Sequence, residues 1–274
     1  MPVALPAFAP PDTGGPGGPR RWGRLPALEG EMASGSKLSS KSLQALRVEV
    51  LEANLELVRR GLVLFTFGNA SGILREEGLV VIKPSGVPYD KMKPGDLVVS
   101  DLDGQIVDGD LRPSSDLPTH LVLYNSFKNI GGVVHTHSEY ATAWAQARRE
   151  IPCLGTTHAD YFHGPVPVTE PLPDGEIAGE YEKNTGAAIV RAFWGKDPNS
   201  NPGVLVANHA PFTWGATVAD AAHNAVVVES LARMAWLTLA LNHDAAAITE
   251  TLHDRHFLRK HGGSAYYGQA GQKK

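Results

Sequence analysis

The stretch Gly131-Gly132-Val133-Val134-His135-Thr136-His137-Ser138 constrains this chain more than any other. Two glycines lead into a β-branched run, and the run closes on two histidines spaced i, i+2. Side chains alternate across a strand, so His135 and His137 share one face. Two neutral imidazoles on a rigid face are a pair of metal ligands, suited to Zn2+, Fe2+ or Mn2+. A bare His-x-His is as readily two solvated histidines. A third ligand, a carboxylate and a substrate pocket must come from elsewhere in the chain.

His209 closes a second apolar run, Gly203 to Asn208, expected to be a buried strand. If the two strand ends lie side by side, three imidazoles meet. That set leaves an open coordination position, the arrangement of a catalytic rather than a structural site. Asp116, at the head of a helix, offers a fourth ligand or an acid/base. Its competing role is a helix N-cap, and that of His209 is a bond to backbone. Eleven histidines against one cysteine, Cys153, make any metal site imidazole-based and exclude an internal disulfide framework. The same cysteine count suits the cytoplasm.

Three turns of small residues could cradle a phosphate: Gly68-Asn69-Ala70-Ser71, Lys83-Pro84-Ser85-Gly86 and Ser114-Ser115. Each offers N–H groups and hydroxyls, the last at a helix N-terminus, and Lys83 adds a point charge. Each alone is an ordinary turn. Their grouping ahead of the His-x-His strand is what gives them weight.

The remaining pattern intermixes helices and strands. An amphipathic helix covers Lys41 to Arg60, with Gly61 as its left-handed cap. Strands are expected at Leu62 to Phe67, Leu79 to Ile82, Leu97 to Ser100 and Ile106-Val107. Helices are expected from Pro113 to Phe127, Glu139 to Arg148 and Ile177 to Trp194. Thr217 to Asp220 is a capping box before a long Ala-rich helix, and residues 151 to 175 read as irregular. The expected architecture is a three-layer α/β/α domain over 41–269 with a central mixed, largely antiparallel sheet. Residues 1–40, rich in Pro, Gly and Ser, read as a disordered extension or as sequence upstream of a start at Met32; 270–274 read as a tail. At 274 residues, 42% hydrophobic and net charge −4, the chain gives no sign of a nucleic-acid partner. No stretch reads as a membrane span, because Ala219 to Leu241 carries His223, Glu229 and Arg233.

Taken in order and spacing, Gly68-Asn69-Ala70-Ser71, Lys83-Pro84-Ser85-Gly86, Ser114-Ser115-Asp116, His135-Thr136-His137 and His209 resemble the class II aldolase/adducin family. The likeness covers about Leu43 to Gln269. Aldolases of that family usually carry a glutamate base where this chain has Ser114-Ser115-Asp116, whereas its epimerases carry aspartate. Thr156-Thr157-His158-Ala159-Asp160-Tyr161 and the terminal His256, Lys260-His261-Gly262 and Tyr266-Tyr267-Gly268-Gln269 are also similar to the epimerases.

The resemblance implies a divalent ion, usually zinc with Mn2+ or Co2+ acceptable, on His135, His137 and His209, with Asp116 on or near it. It implies phosphate binding around Gly68, Asn69, Lys83, Ser85, Gly86, Ser114 and Ser115, with Thr156 and His256 also at the substrate. The implied reaction inverts C4 of L-ribulose 5-phosphate to give D-xylulose 5-phosphate by retro-aldol cleavage and re-addition, with Asp160 and Tyr267 as acid and base. It further implies a homotetramer in which Asp160, His256 and Tyr267 reach the metal of a neighbouring chain. An aldolase or dehydratase on the same scaffold is the alternative, opposed by Asp116 and Tyr267. A non-catalytic module like the adducin head is opposed by the retained histidines.

Overall fold

A computed structural model describes residues 35–262 and residue 265. The helix α1 runs Gly35–Arg59, beginning six residues before the expected start at Lys41, and is followed by strands β1 (Asn69–Leu74), β2 (Leu79–Ile82), β3 (Val98–Asp101) and β4 (Ile106–Asp108). Next come α2 (Leu117–Ser126), β5 (Gly132–His135), α3 (Glu139–Gln146), α4 (Thr156–Ala159), α5 (Asp174–Ile177) and α6 (Tyr181–Ala192). The chain continues through β6 (Gly203–Leu205), β7 (Pro211–Gly215), α7 (Val218–Leu241) and α8 (Glu250–His261).

The seven strands form one sheet in the order β4-β3-β2-β1-β5-β7-β6, antiparallel at every pair. Among the described residues a parallel contribution survives only as the single bridge Val168–Leu205. Alternation assigns each strand residue to a face. Val134 and Val81 join Leu46, Val50, Leu57 and Ala222 in the layer of α1 and α7. Val133, Val80 and Ile82 join Leu121, Tyr124 and Ile189 in the layer of α2 and α6. Apolar side chains on both faces explain why these strands read as continuous β-branched runs.

Gly132 shows how closely α7 is laid on the sheet. A Cβ there would sit 2.5 Å from Val218 Cα, so only glycine admits the helix. The Thr217 side chain accepts from Asp220 N–H at 3.1 Å, as the capping pattern predicts. Helix α7 is long and apolar enough to cross a membrane by length and composition. Here Val218, Ala221, Ala222, Ala225, Val228 and Leu231 are buried along it as core.

Several expected elements differ. Leu62 to Phe67 is not a strand but a loop folded under α1, with Phe65 at φ 53° and the carbonyls of Phe67 and Gly68 within 2.9 Å of the Tyr89 hydroxyl. Asn69-Ala70-Ser71, expected as a turn, is the start of β1. Buried Asn54 on α1 pins that start, bonding the Ala70 N–H at 2.9 Å and the Ala70 carbonyl at 3.2 Å. Strand β7 is an unforeseen element. The helix expected from Ile177 begins at Tyr181, and that expected from Pro113 begins at Leu117. The stretch 151–175 contains α4 and the bridge Ile151–Val166.

Candidate active site

Strand β5 ends at His135, so His137 stands just past the strand, before α3. The Glu229 carboxylate of α7 accepts the Tyr140 and Ala141 N–H groups, both at 2.9 Å, and so fixes where α3 starts. Strand β7 lies between β5 and β6, so the two expected strand ends are not neighbours. His209 instead occupies the β6–β7 turn, after Asn208 at φ 60°, and the hairpin folds it back toward β5. His135 and His209 have ring centroids 4.8 Å apart, and His137 and His209 are 5.1 Å apart.

The ligating nitrogens of His135, His137 and His209 lie within 4.8 Å of one another. His135 Nδ1 is 3.0 Å from the Pro211 carbonyl, which can only accept, so Nδ1 carries the proton. That leaves the Nε2 lone pair of His135 facing His137 Nε2 at 3.1 Å. Ligand bonds of about 2.0–2.1 Å in a tetrahedron place neighbouring ligand atoms ~3.3 Å apart, so the spacing fits a metal ion. A ligand histidine held by its other ring nitrogen on a carbonyl is the usual supporting arrangement. Phe212 stacks under His135 at 4.1 Å and 16°. Burial pushes the His135 pKa down to about 3 and lowers those of His137 and His209, which keeps all three rings neutral.

Asp116 stands at the N-cap of α2, but its side chain makes no cap hydrogen bond. The carboxylate instead accepts from Asn69 Nδ2 at 2.6 Å. Burial opposes its ionised form, yet the facing His135 and His120 and the Asn69 bond outweigh that, and its pKa falls. Its charge is felt by all three cluster histidines. Asn69 Nδ2 also reaches Ser114 Oγ at 2.9 Å, and Asn69 Oδ1 is buried without a protein partner. Gly68 is fixed by its approach to the cluster: φ is +72°, and a Cβ would lie 2.8 Å from the His135 carbonyl oxygen.

The two other cradle turns are joined by a bond from Ser85 N–H to Arg112 O at 2.9 Å and one from Ser114 N–H to Lys83 O at 2.9 Å. Ser85, Gly86 and Ser115 are exposed. Lys83 is not the free point charge expected from the sequence. It is 2% exposed, its ammonium bonds the Pro84 carbonyl at 3.2 Å and lies over the Tyr89 ring at 4.8 Å, and burial lowers its pKa.

Asp160 and His256 belong to a second cluster. Arg259 grips Asp160 through Nη2, at 2.8 and 2.7 Å from its two oxygens, and through Nε at 3.0 Å, while His256 Nδ1 lies 3.1 Å and Lys260 3.6 Å from the carboxylate. Burial works against the carboxylate, but the bonds from Arg259 and His256 and the charges of Lys260 and Arg259 hold its pKa below the ordinary range. Thr156 opens α4 in the same segment. The bonding partners of Asp160 come from α8, whereas those of Asp116 come from β1 and the loop before α2. Tyr267 lies outside the described residues.

His120 on α2 was missed in the sequence, where it reads as one more core-facing helix residue. It is fully buried, its Nδ1 lies 2.7 Å from Ser71 Oγ, and its Nε2 has no protein partner. Ser71 Oγ also meets Tyr124 OH at 2.8 Å. His120 packs edge-on against Phe212, on the same sheet face as His135. Tyr181, also missed, has its hydroxyl 3.5 Å from His209 Nδ1.

Three convergent imidazoles beside a carboxylate, at one end of an antiparallel α/β/α sheet, form a donor set that could hold a divalent cation. Residues 48–236 match the family described as Class II Aldolase and Adducin N-terminal domain, and the chain belongs to that family. It is 55% identical over 227 residues to L-ribulose-5-phosphate 4-epimerase UlaF of Salmonella paratyphi A (strain ATCC 9150 / SARB42), covering 83% of this chain and all of that protein. The protein of the same name from Salmonella typhi matches equally. Among solved structures, an L-fuculose 1-phosphate aldolase superposes with TM-score 0.68 at 26% identity, over 77% of this chain and 94% of that one.

Proposed function

We propose that the chain interconverts L-ribulose 5-phosphate and D-xylulose 5-phosphate in the cytoplasm by inverting C4. The observation that carries this reading is the 55% identity to proteins named L-ribulose-5-phosphate 4-epimerase, over their whole length. Aspartate at position 116 agrees with it.

His135, His137 and His209, with Asp116 on or beside the ion, hold one divalent metal, zinc in this reading and replaceable by Mn2+ or Co2+. Once bound, it supplies Lewis-acid polarisation of the C2 and C3 oxygens. C4 is not alpha to the C2 ketone, so its C–H is not acidic and direct deprotonation is closed. Cleavage of C3–C4 avoids this. The C4 hydroxyl gives its proton to a base, C4 becomes the aldehyde of glycolaldehyde phosphate, and the bonding pair passes to the dihydroxyacetone half as an enediolate. The aldehyde turns, C3 attacks its other face, and the C4 oxygen takes up a proton.

Each face needs one proton-transfer group. Asp160, kept ionised by Arg259 and His256, is the base on one side, and Tyr267 serves the other. Both come from the neighbouring chain of a homotetramer, with Thr156 and His256 beside them. Ser85, Gly86, Ser114 and Ser115 hold the phosphate through the Gly86 and Ser115 N–H groups and the serine hydroxyls, Gly68 and Asn69 line the same pocket, and Lys83 shapes the loop from beneath.

The test is incubation with L-ribulose 5-phosphate and detection of D-xylulose 5-phosphate. Release of dihydroxyacetone and glycolaldehyde phosphate without xylulose 5-phosphate would make the chain an aldolase instead.

A further inference from the structure

We infer that His163, His253 and Asp254 form a second divalent-metal site, which ties the start of α8 to the segment after α4. Their ligand atoms lie within 4.8 Å of one another. His253 Nδ1 is 3.2 Å and His163 Nε2 is 3.6 Å from the same oxygen of Asp254. Both spacings sit close to the ~3.3 Å edge of a tetrahedron with bonds of about 2.0–2.1 Å. The two imidazole rings meet edge to face with centroids 4.8 Å apart.

His253 is the anchor. It is buried, stacks parallel to Phe257 on its own helix, and has two exclusive hydrogen-bonding states. With the proton on Nδ1 it donates to Asp254, and Nε2 accepts from Gly164 N–H at 3.0 Å. With the proton on Nε2 it donates to the Phe162 carbonyl at 3.1 Å, and Nδ1 is a free lone pair beside the Asp254 carboxylate. The second state is the supporting arrangement seen at His135, a ligand ring steadied by a backbone carbonyl. A bound ion selects it.

His163 and Asp254 are about half exposed, at 54% and 41%, so water completes the coordination. Two imidazoles and one carboxylate favour Zn2+, Co2+ or Ni2+ over Ca2+ or Mg2+. Three ligands, two of them facing solvent and only two of them imidazoles, make this site weaker than the His135 cluster. Its position matters because Asp160 lies on one of the two segments it joins, and His256 and Arg259, which grip Asp160, lie on the other. The inference does not depend on the catalytic reading.

Co2+ titration of the metal-stripped full-length protein, followed by d–d absorption, tests it. Wild type should bind two Co2+ per chain, one tightly and one at least 10-fold more weakly. His163→Ala and Asp254→Asn, both at exposed positions, should each retain the tight equivalent and lose the weak one. In His137→Ala, which disables the first site, the weak equivalent should persist and slow amide exchange across α8. Absence of any wild-type equivalent beyond the one lost in His137→Ala overturns the inference. So does a weak equivalent that survives either His163→Ala or Asp254→Asn, because adventitious surface binding does not need both side chains.

Discussion

His135 is held by Phe212 beneath it, the Pro211 carbonyl on its Nδ1 and the β1 and β7 ladders on either side. Asp160 is held by side chains of α8, mostly cationic and partly exposed. The first arrangement is built around a buried neutral ring, His135, whose geometry the sheet imposes. The second uses ion pairs between a short helix and a long one, where screening by solvent is stronger. Both clusters form within one chain, but the second leaves a charged group closer to solvent, with its counter-charges beside it.

The largest expected effect falls on the sheet-built half. After dialysis against a weak chelator, wild type should retain about one ion per chain and His137→Ala essentially none, with its circular dichroism unchanged. His137 is exposed, so its removal leaves no cavity. Wild-type metal content in this variant would break the histidine assignment.

Next comes the helical half. Asp160→Asn should lower kcat by ~10²–10⁴, the range for a lost acid or base, with bound metal unchanged. Mixed with His135→Ala, it should regain activity, since some interfaces then receive both intact halves. No recovery after mixing, with hetero-oligomers confirmed by mass spectrometry, would place both clusters in a site made within one chain.

The two halves should also separate in acid. Burial lowers the pKa of His135 to about 3 and that of His120 to about 4. Unfolded histidine titrates near ~6.5, so between these values the unfolded chain binds more protons. The stabilisation is therefore complete above ~6.5 and is lost as pH falls toward the folded values. From pH 7.5 to 5.5, each ring should forfeit about 1.4 kcal/mol, about 3 kcal/mol for the two. The Asp160 carboxylate, whose pKa is lowered, stays ionised over that window. Denaturant melts of metal-free protein at the two pH values measure the loss, and equal stability at both would contradict the burial of the two rings as neutral species.

Much of this site is written locally in the sequence. His-x-His after a β-branched run and a Ser-Ser-Asp before an apolar helix carry their chemistry in adjacent residues. What escaped depends on distant packing. Leu62 to Phe67 has the apolar content of a strand, but Leu62 and Val63 are drawn into the core beneath α1, and the Tyr89 hydroxyl takes up two of the loop's carbonyl groups. Strand β7 opens with Pro211, an unpromising strand residue, and no strand is expected between His209 and Thr217. Lys83 was assigned to an anion because sequence shows a charge and not the Tyr89 ring that covers it. His120 has no local signal, because its importance rests on Ser71, 49 residues earlier.

Ser71→Ala probes how much of the histidine cluster's rigidity comes from that buried network. Ser71 Oγ bridges His120 Nδ1 and Tyr124 OH, and all three residues are fully buried. Alanine fits the strand and removes only an oxygen, so packing changes little. The hydroxyl's loss strips a partner from two groups sealed from water, and His120 Nε2 has no protein partner to compensate. An unsatisfied buried polar group costs ~1–3 kcal/mol, and partial rearrangement of His120 and Tyr124 toward each other brings the expected total to about 2 kcal/mol. Metal content should remain at one ion per chain, because the bonds that orient His135, to Pro211 and Phe212, do not pass through Ser71. A stability loss with metal retained would separate the network that supports the sheet face from the ligands themselves. Loss of the ion together with stability would make His120 and Ser71 part of what orients the cluster.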